Sequence, residues 1–169
     1  NIACMNGNRE IVSSLLNYGT AYTEGALSTS SNNGHLEIVK LLVEKFGRSI
    51  IREDDNRSIR WAADRGFLDV VKYLHSQGAP LHSSDEHVLR FACENGDVEM
   101  ARYVLDDGAR MDAASNAPMV LTIKKGSAEM LKLLIEHGVD VNSDSGYPLR
   151  KSIFDGNLEL VKILVENGA

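Results

Sequence analysis

The chain is poor in the residues that mark several common classes of protein. Two cysteines, Cys4 and Cys93, are too few for a disulfide framework, and they lack the CxxC spacing of a zinc or redox site. That usage leads us to expect a reducing intracellular compartment, cytoplasm or nucleus. Three prolines exclude a Pro-rich or collagen-like chain, and a 43% hydrophobic content excludes strong disorder. No apolar run approaches the roughly 18 residues of a membrane span, and the opening NIACMNGNRE has neither the basic flank nor the apolar core of a secretory leader. Positive charge is short as well. Lys and Arg number 18 against 24 Asp and Glu, a formal charge of −6, so neither nucleic acid nor an anionic membrane is an expected partner.

What is present is glycine at fixed intervals. The segments NGNREIVSSLLNYG, NGHLEIVKLLVEKFG, RGFLDVVKYLHSQG, NGDVEMARYVLDDG, KGSAEMLKLLIEHG and DGNLELVKILVENG follow one another along the chain. Their first glycines are Gly7, Gly34, Gly66, Gly96, Gly126 and Gly156, separated by 27, 32, 30, 30 and 30 residues. After each of them, apolar residues recur at helical spacing, as in Ile38, Val39, Leu41 and Leu42, which predicts a helix of about ten residues. An acid stands three residues past each first glycine, near the positive end of that helix, and a base follows three later in five of the six copies. A second glycine (Gly19, Gly47, Gly78, Gly108, Gly138, Gly168) falls where a helix C-terminus favours positive φ. Upstream lies a shorter helical pattern (IRWAAD, LRFACE, MVLTIK, LRKSIF), with a small residue four before the glycine at Ala3, Ser30, Ala62, Ala92, Thr122 and Ser152. One such hairpin cannot bury its own apolar faces, whereas stacked copies can.

This unit resembles the ankyrin repeat, T-P-L-H-x-A-A-x-x-G-H-L-E-I-V-K-L-L-x-x-x-G-A-D-V-N. The likeness is carried by GHLEIVKLLVE from Gly34 to Glu44, GVDVN from Gly138 to Asn142 and WAADRG from Trp61 to Gly66. It implies an all-α solenoid of helix-turn-helix units with short loops or clipped hairpin fingers. We expect a partial repeat at 1–24 and repeats at about 25–56, 57–86, 87–116, 117–146 and 147–169. The last copy, LVKILVENGA, is as apolar as the internal ones, which leads us to expect a fragment of a longer array. Thirty-residue units with LRxA in place of LHxA are similar to the ankyrin arrays abundant in giant DNA viruses.

Departures from the pattern raise their own expectations. The capping Thr is replaced by Gly25, Arg57, His87, Ala117 and Tyr147, and the His by Ser28, Arg60, Arg90, Val120 and Arg150, so Asn56, Asp85, Ser115 or Asp144 are candidate caps. Stretches such as Ala79–Glu86 shorten the loops, while Ser49–Asn56 lengthens one. Trp61, Phe91 and Leu121 share one register position and are expected in the core, with Lys151 breaking the series.

No catalytic, cofactor or metal site is expected. The glycines form neither GxGxxG nor a GxxxxGKS phosphate loop, and a Glu–Lys pair that recurs at one helical position is a surface device. Cys4 and Cys93 fall where the family places a small buried Ala. The five histidines lack zinc spacing and are expected at surfaces or caps. The resemblance implies instead a concave groove formed by the two residues before each first glycine. These are Met5 and Asn6, Asn32 and Asn33, Asp64 and Arg65, Glu94 and Asn95, Lys124 and Lys125, and Phe154 and Asp155. The scaffold positions repeat and these vary. The expected function is a monomeric protein-binding module without catalysis or a small-molecule substrate, with Phe154 as anchor. The alternatives are a recruiting arm of an enzyme or ubiquitin-ligase adaptor whose other segment lies elsewhere, and a structural spacer.

Overall fold

The computed structural model describes residues 1–82 and 85–169, and for residues 53 and 113–116 the backbone alone. All regular structure among them is helical: twelve α-helices, one 3-10 helix and no strand. The chain divides into two compact units, Asn1–Leu81 and His82–Ala169. The first holds α1 (Ile2–Met5), α2 (Arg9–Asn17), α3 (Ala26–Asn32), α4 (Leu36–Phe46), a 3-10 helix (Arg48–Arg52), α5 (Glu53–Asp64) and α6 (Leu68–Ser76). The second holds α7 (His87–Asn95), α8 (Val98–Asp106), α9 (Ala113–Lys125), α10 (Ala128–Glu136), α11 (Ser143–Phe154) and α12 (Leu158–Glu166).

Within each unit the helices form two layers. The leading helices α1, α3 and α5 pack side by side, and so do the trailing helices α2, α4 and α6; α7, α9 and α11 with α8, α10 and α12 repeat the arrangement. The small residues predicted at the contact of leading helices are where that packing needs them. Ser30, Ala62, Ala92, Thr122 and Ser152 are all buried, and the Ser30 and Ser152 hydroxyls donate to the carbonyls of Ala26 and Pro148 at 2.9 and 2.8 Å. The trailing helices bury an apolar face, such as Ile38, Val39, Leu42 and Val43 in α4 and Met130, Leu131, Leu133 and Leu134 in α10, whereas α2 buries only Val12 and Leu16 and exposes Ile11 and Leu15. Burying each such side chain fully is worth about 1.5–3 kcal/mol. In the second unit Met119, Ile123, Leu131, Val141, Leu160, Ile163 and Leu164 form one continuous core between the layers.

The residue after the first glycine meets two different demands. In the first unit the His35 ring lies against Gly7 and the Phe67 ring against Gly34, so closely that a Cβ on Gly34 would stand 2.5 Å from the ring. His35 Nε2 also donates to the Met5 carbonyl at 3.0 Å, tying one glycine turn to the next. In the second unit the same position carries Asp97, Ser127 and Asn157, whose side-chain oxygens accept from the amides of Met100, Met130 and Leu160 at 3.0, 3.2 and 3.2 Å. Those are N-cap bonds, each worth about 1 kcal/mol.

Three expectations are corrected. First, neither Asn56 nor Asp144 caps a leading helix. They lie inside left-handed turns, Asp54–Asn56 and Asp144–Gly146, that extend α5 and α11 at their N-terminal ends, and Asn56 Oδ1 is buried without a partner. Asp85 bonds Arg90 at 2.9 Å, and the Ser115 side chain lies outside the described residues. The Arg that replaces the family His reaches back five residues, Arg60 to Asp55 at 3.2 Å, Arg90 to Asp85 and Arg150 to the Ser145 carbonyl. Second, the stretch 49–56 is not an open loop. Its first part lies in the 3-10 helix, which buries Ile50 and Ile51 against α4 and α5, and the rest enters α5 through the left-handed turn. Third, Trp61 is outside the core at 37% exposure, with the Arg57 guanidinium 5.1 Å from its ring centroid, while Phe91 and Leu121 are half-buried. Of the stretch 79–86, Ser83 and Ser84 lie outside the described residues.

Candidate interaction surface

The two positions before each first glycine fall at the C-terminal end of a leading helix. Asn32 ends α3, Asp64 ends α5, Asn95 ends α7, Lys125 ends α9 and Phe154 ends α11; Asn33, Arg65 and Asp155 are the residues that follow α3, α5 and α11. All ten candidates from Asn32 to Asp155 are exposed or half-buried, and Met5 and Asn6 are exposed. Because leading helices pack side by side, these ends stand in a row within each unit. In the first unit Arg65 Nε donates to Asn32 Oδ1 at 3.4 Å across neighbouring helices. In the second unit Glu94, Lys124 and Phe154 occupy one register on α7, α9 and α11, with Asn95, Lys125 and Asp155 beside them.

Charge divides unevenly between the units. Residues 1–81 carry nine basic and nine acidic side chains, and residues 82–169 carry nine and fifteen, so the net charge of −6 belongs to the second unit. Against that acidic background Lys124 and Lys125 are exposed and have no carboxylate partner among the described residues. The Lys125 stem lies over Gly96, where a Cβ would stand 3.3 Å from its Cε, so the side chain has a fixed base. Phe154 is 85% exposed. Lys151 Nζ bonds Asp155 Oδ1 at 2.6 Å and lies 5.2 Å from the Phe154 ring centroid, which holds the aromatic ring at the helix end. In the sequence Lys151 stands out only as an interruption of the core series. Its spacing of three and four residues from Phe154 and Asp155 was the available signal.

The groups considered for chemistry have structural surroundings. Burial pushes the Cys93 thiol up to about 11, with the Thr122 hydroxyl drawing it weakly the other way, and a thiol held protonated is a poor nucleophile. Of the recurrent charge pairs, Glu37 and Lys40 meet at 2.8 Å, whereas Arg102 reaches Glu136 on the next trailing helix at 3.6 Å. His137 Nδ1 donates to the Leu133 carbonyl at 2.9 Å and its Nε2 faces Asp106 Oδ1 at 3.2 Å. His82 bridges Glu86 and Asp107 at 3.1 and 3.0 Å. Among the described residues no group of three His, Cys, Asp or Glu side chains could hold a metal ion, and no helix is long and apolar enough to cross a membrane. A half-open cavity of about 140 Å³ in the first unit, walled by Cys4, Leu16, Tyr22, Ala26, Leu42 and Phe46, is small beside the roughly 300 Å³ at which ligand pockets begin.

Comparison with known proteins bears on this architecture. None of the curated proteins matches the chain. Chains of solved structures that match number 269, so structural likeness identifies a common fold and selects no partner. One of them is the ankyrin repeat domain of Bcl-3, a member of the IkappaB protein family, at 23% identity and a TM-score of 0.74, with 99% of this chain and 85% of that chain covered. At that identity the likeness shows the fold. A family model described as ankyrin repeats in three copies matches residues 1–85 and 89–169. That match covers nearly the whole sequence and agrees with the layered helical hairpins, and the chain belongs to the ankyrin-repeat family.

Proposed function

We propose that the chain is a protein-binding module that engages its partner through the row of leading-helix ends in each unit, with the repeats divided near residues 25, 57, 87, 117 and 147. Ankyrin repeats are protein–protein interaction modules. The observation that supports using this row is the contrast between neighbouring positions. Four residues before each of the glycines Gly34 to Gly156 the side chain is small and buried, whereas one and two residues before them it is exposed or half-buried and differs from copy to copy. Packing fixes the first set and leaves the second free for recognition. Asn32, Asn33, Asp64, Arg65, Glu94, Asn95, Lys124, Lys125, Phe154 and Asp155 are the contact residues on this account. Preformed helices lose little ordering entropy on docking, and roughly 800 Å² per partner suffices for a specific complex. The module acts without a cofactor, in a reducing compartment where its two free cysteines stay as thiols.

Site-directed photo-crosslinking tests this directly. A photoreactive side chain at Asn33, Arg65, Asn95 or Lys125 should trap a protein in extract of the native cell, and one at Lys72 or Lys132, exposed on the trailing helices, should not. Crosslinks confined to Lys72 and Lys132 would contradict the row, and their absence everywhere would favour a spacer.

A further inference from the structure

Resting on that reading, we propose that the row in the second unit takes an extended acidic segment of a partner protein, with one apolar side chain seated on Phe154 and carboxylates on Lys124 and Lys125. The two lysines set the sign of the ligand. They are adjacent, exposed and without a carboxylate partner among the described residues, on a unit that is otherwise strongly acidic. A cation at a helix C-terminus is favourable to the dipole. Yet the same register carries Glu94 on α7 and Phe154 on α11, so the helix end itself does not require a lysine. The acidic field around the pair also repels any loosely bound anion, which leaves recognition to a ligand that gains short contacts with both ammonium groups at once.

Phe154 supplies the apolar half. It is 85% exposed, and its ring is steadied by Lys151, whose charge is already spent on Asp155. Aromatic side chains held in one orientation are the type that anchors interfaces. Spacing sets the ligand's pattern. Packed helices stand about 8–10 Å apart, and an extended strand advances about 3.3 Å per residue, so a peptide running from α11 to α9 covers the step in about three residues. The recognised pattern is therefore an apolar residue separated by about three positions from a pair of acids. The chain of the partner is extended because one residue must reach each helix end without a turn between them.

Two short fluorescein-labelled peptides test the inference, one reading Leu-Ser-Gly-Asp-Glu and the other the same residues in reverse order. At least one should bind the full chain, more weakly as salt is raised. The double substitution Lys124→Glu with Lys125→Glu, and separately Phe154→Ala, should each weaken binding about tenfold or more, while Lys132→Glu on the trailing helix α10 leaves it unchanged. All these side chains are exposed, and unchanged far-UV circular dichroism serves as the folding control. Equal binding of a peptide with Lys-Lys in place of Asp-Glu, or affinity within twofold in the three variants, overturns the inference. If neither peptide binds while photo-crosslinks still map to the leading-helix ends, the protein-binding reading stands and the acidic ligand is wrong. If crosslinks avoid those ends as well, both fail.

Discussion

At the residue scale, the glycine turns show how one position satisfies two constraints. Gly34 has a φ of +72°, and its missing side chain makes room for the Phe67 ring. Gly19 has a φ of +79° but no neighbour within 4 Å of a Cβ. The substitution Gly34→Ala should therefore cost about 2–4 kcal/mol, and Gly19→Ala only about 1 kcal/mol. Urea unfolding followed by the fluorescence of Trp61, the sole tryptophan, reads the first unit and checks both. Adding Phe67→Ala to Gly34→Ala should recover the steric part. The first glycines were legible from their spacing, but the tight contact at Gly34 was not, because it depends on a ring 33 residues away. His82 gives a second prediction. Its two ring nitrogens face carboxylates of Glu86 and Asp107, and only the imidazolium donates to both. Partial burial pulls its pKa down, but Glu86 and Asp107 outweigh burial and raise it above the ordinary value. A raised folded pKa means the contribution is complete below about pH 6.5 and is lost as pH rises through the folded value. Stability of the second unit should fall from about pH 6 to pH 9 by more in the native chain than in His82→Gln, measured by circular dichroism at each pH.

At the element scale, the helices after each glycine were readable because their apolar positions recur at a strict helical period and nothing else competes for them. The starts of the leading helices were not. Sequence offered Asn56 and Asp144 as caps, yet both sit in left-handed turns, to which Arg60 and Arg150 reach back five residues. Asn56 occupies the register of Gly146 and has a φ of 58° with a buried, unpartnered Oδ1. Replacing Asn56 by Gly should stabilise the first unit by about 0.5–1 kcal/mol in the same urea experiment, and a loss of stability would show that the side chain is bonded after all. The 3-10 helix has a weaker signature: Ile50 and Ile51 are a lone apolar pair ahead of the acidic run Glu53, Asp54 and Asp55. Ile51 is 1% exposed, so Ile51→Ala should cost about 2–5 kcal/mol, as a core deletion does and an open loop would not.

At the scale of the whole molecule, repetition separates what holds the fold from what is free to recognise. Each unit buries its apolar residues between two helical layers. The family was legible because the glycine period, the GHLEIVKLLVE segment and GVDVN agree with one another over nearly the whole chain. The surface was legible only as a set of positions, since recognition needs those residues to vary and variation leaves no pattern to read. The fold and the rows of helix ends support a protein-binding module. The dissociation constant of a crosslink-identified partner, measured for variants of the helix ends in each unit alongside their unfolding free energies, decides it. We predict that Arg65→Ala, Lys125→Ala and Phe154→Ala weaken binding while stability stays within about 0.5 kcal/mol. Unchanged affinity in every variant, with the fold intact, would contradict it.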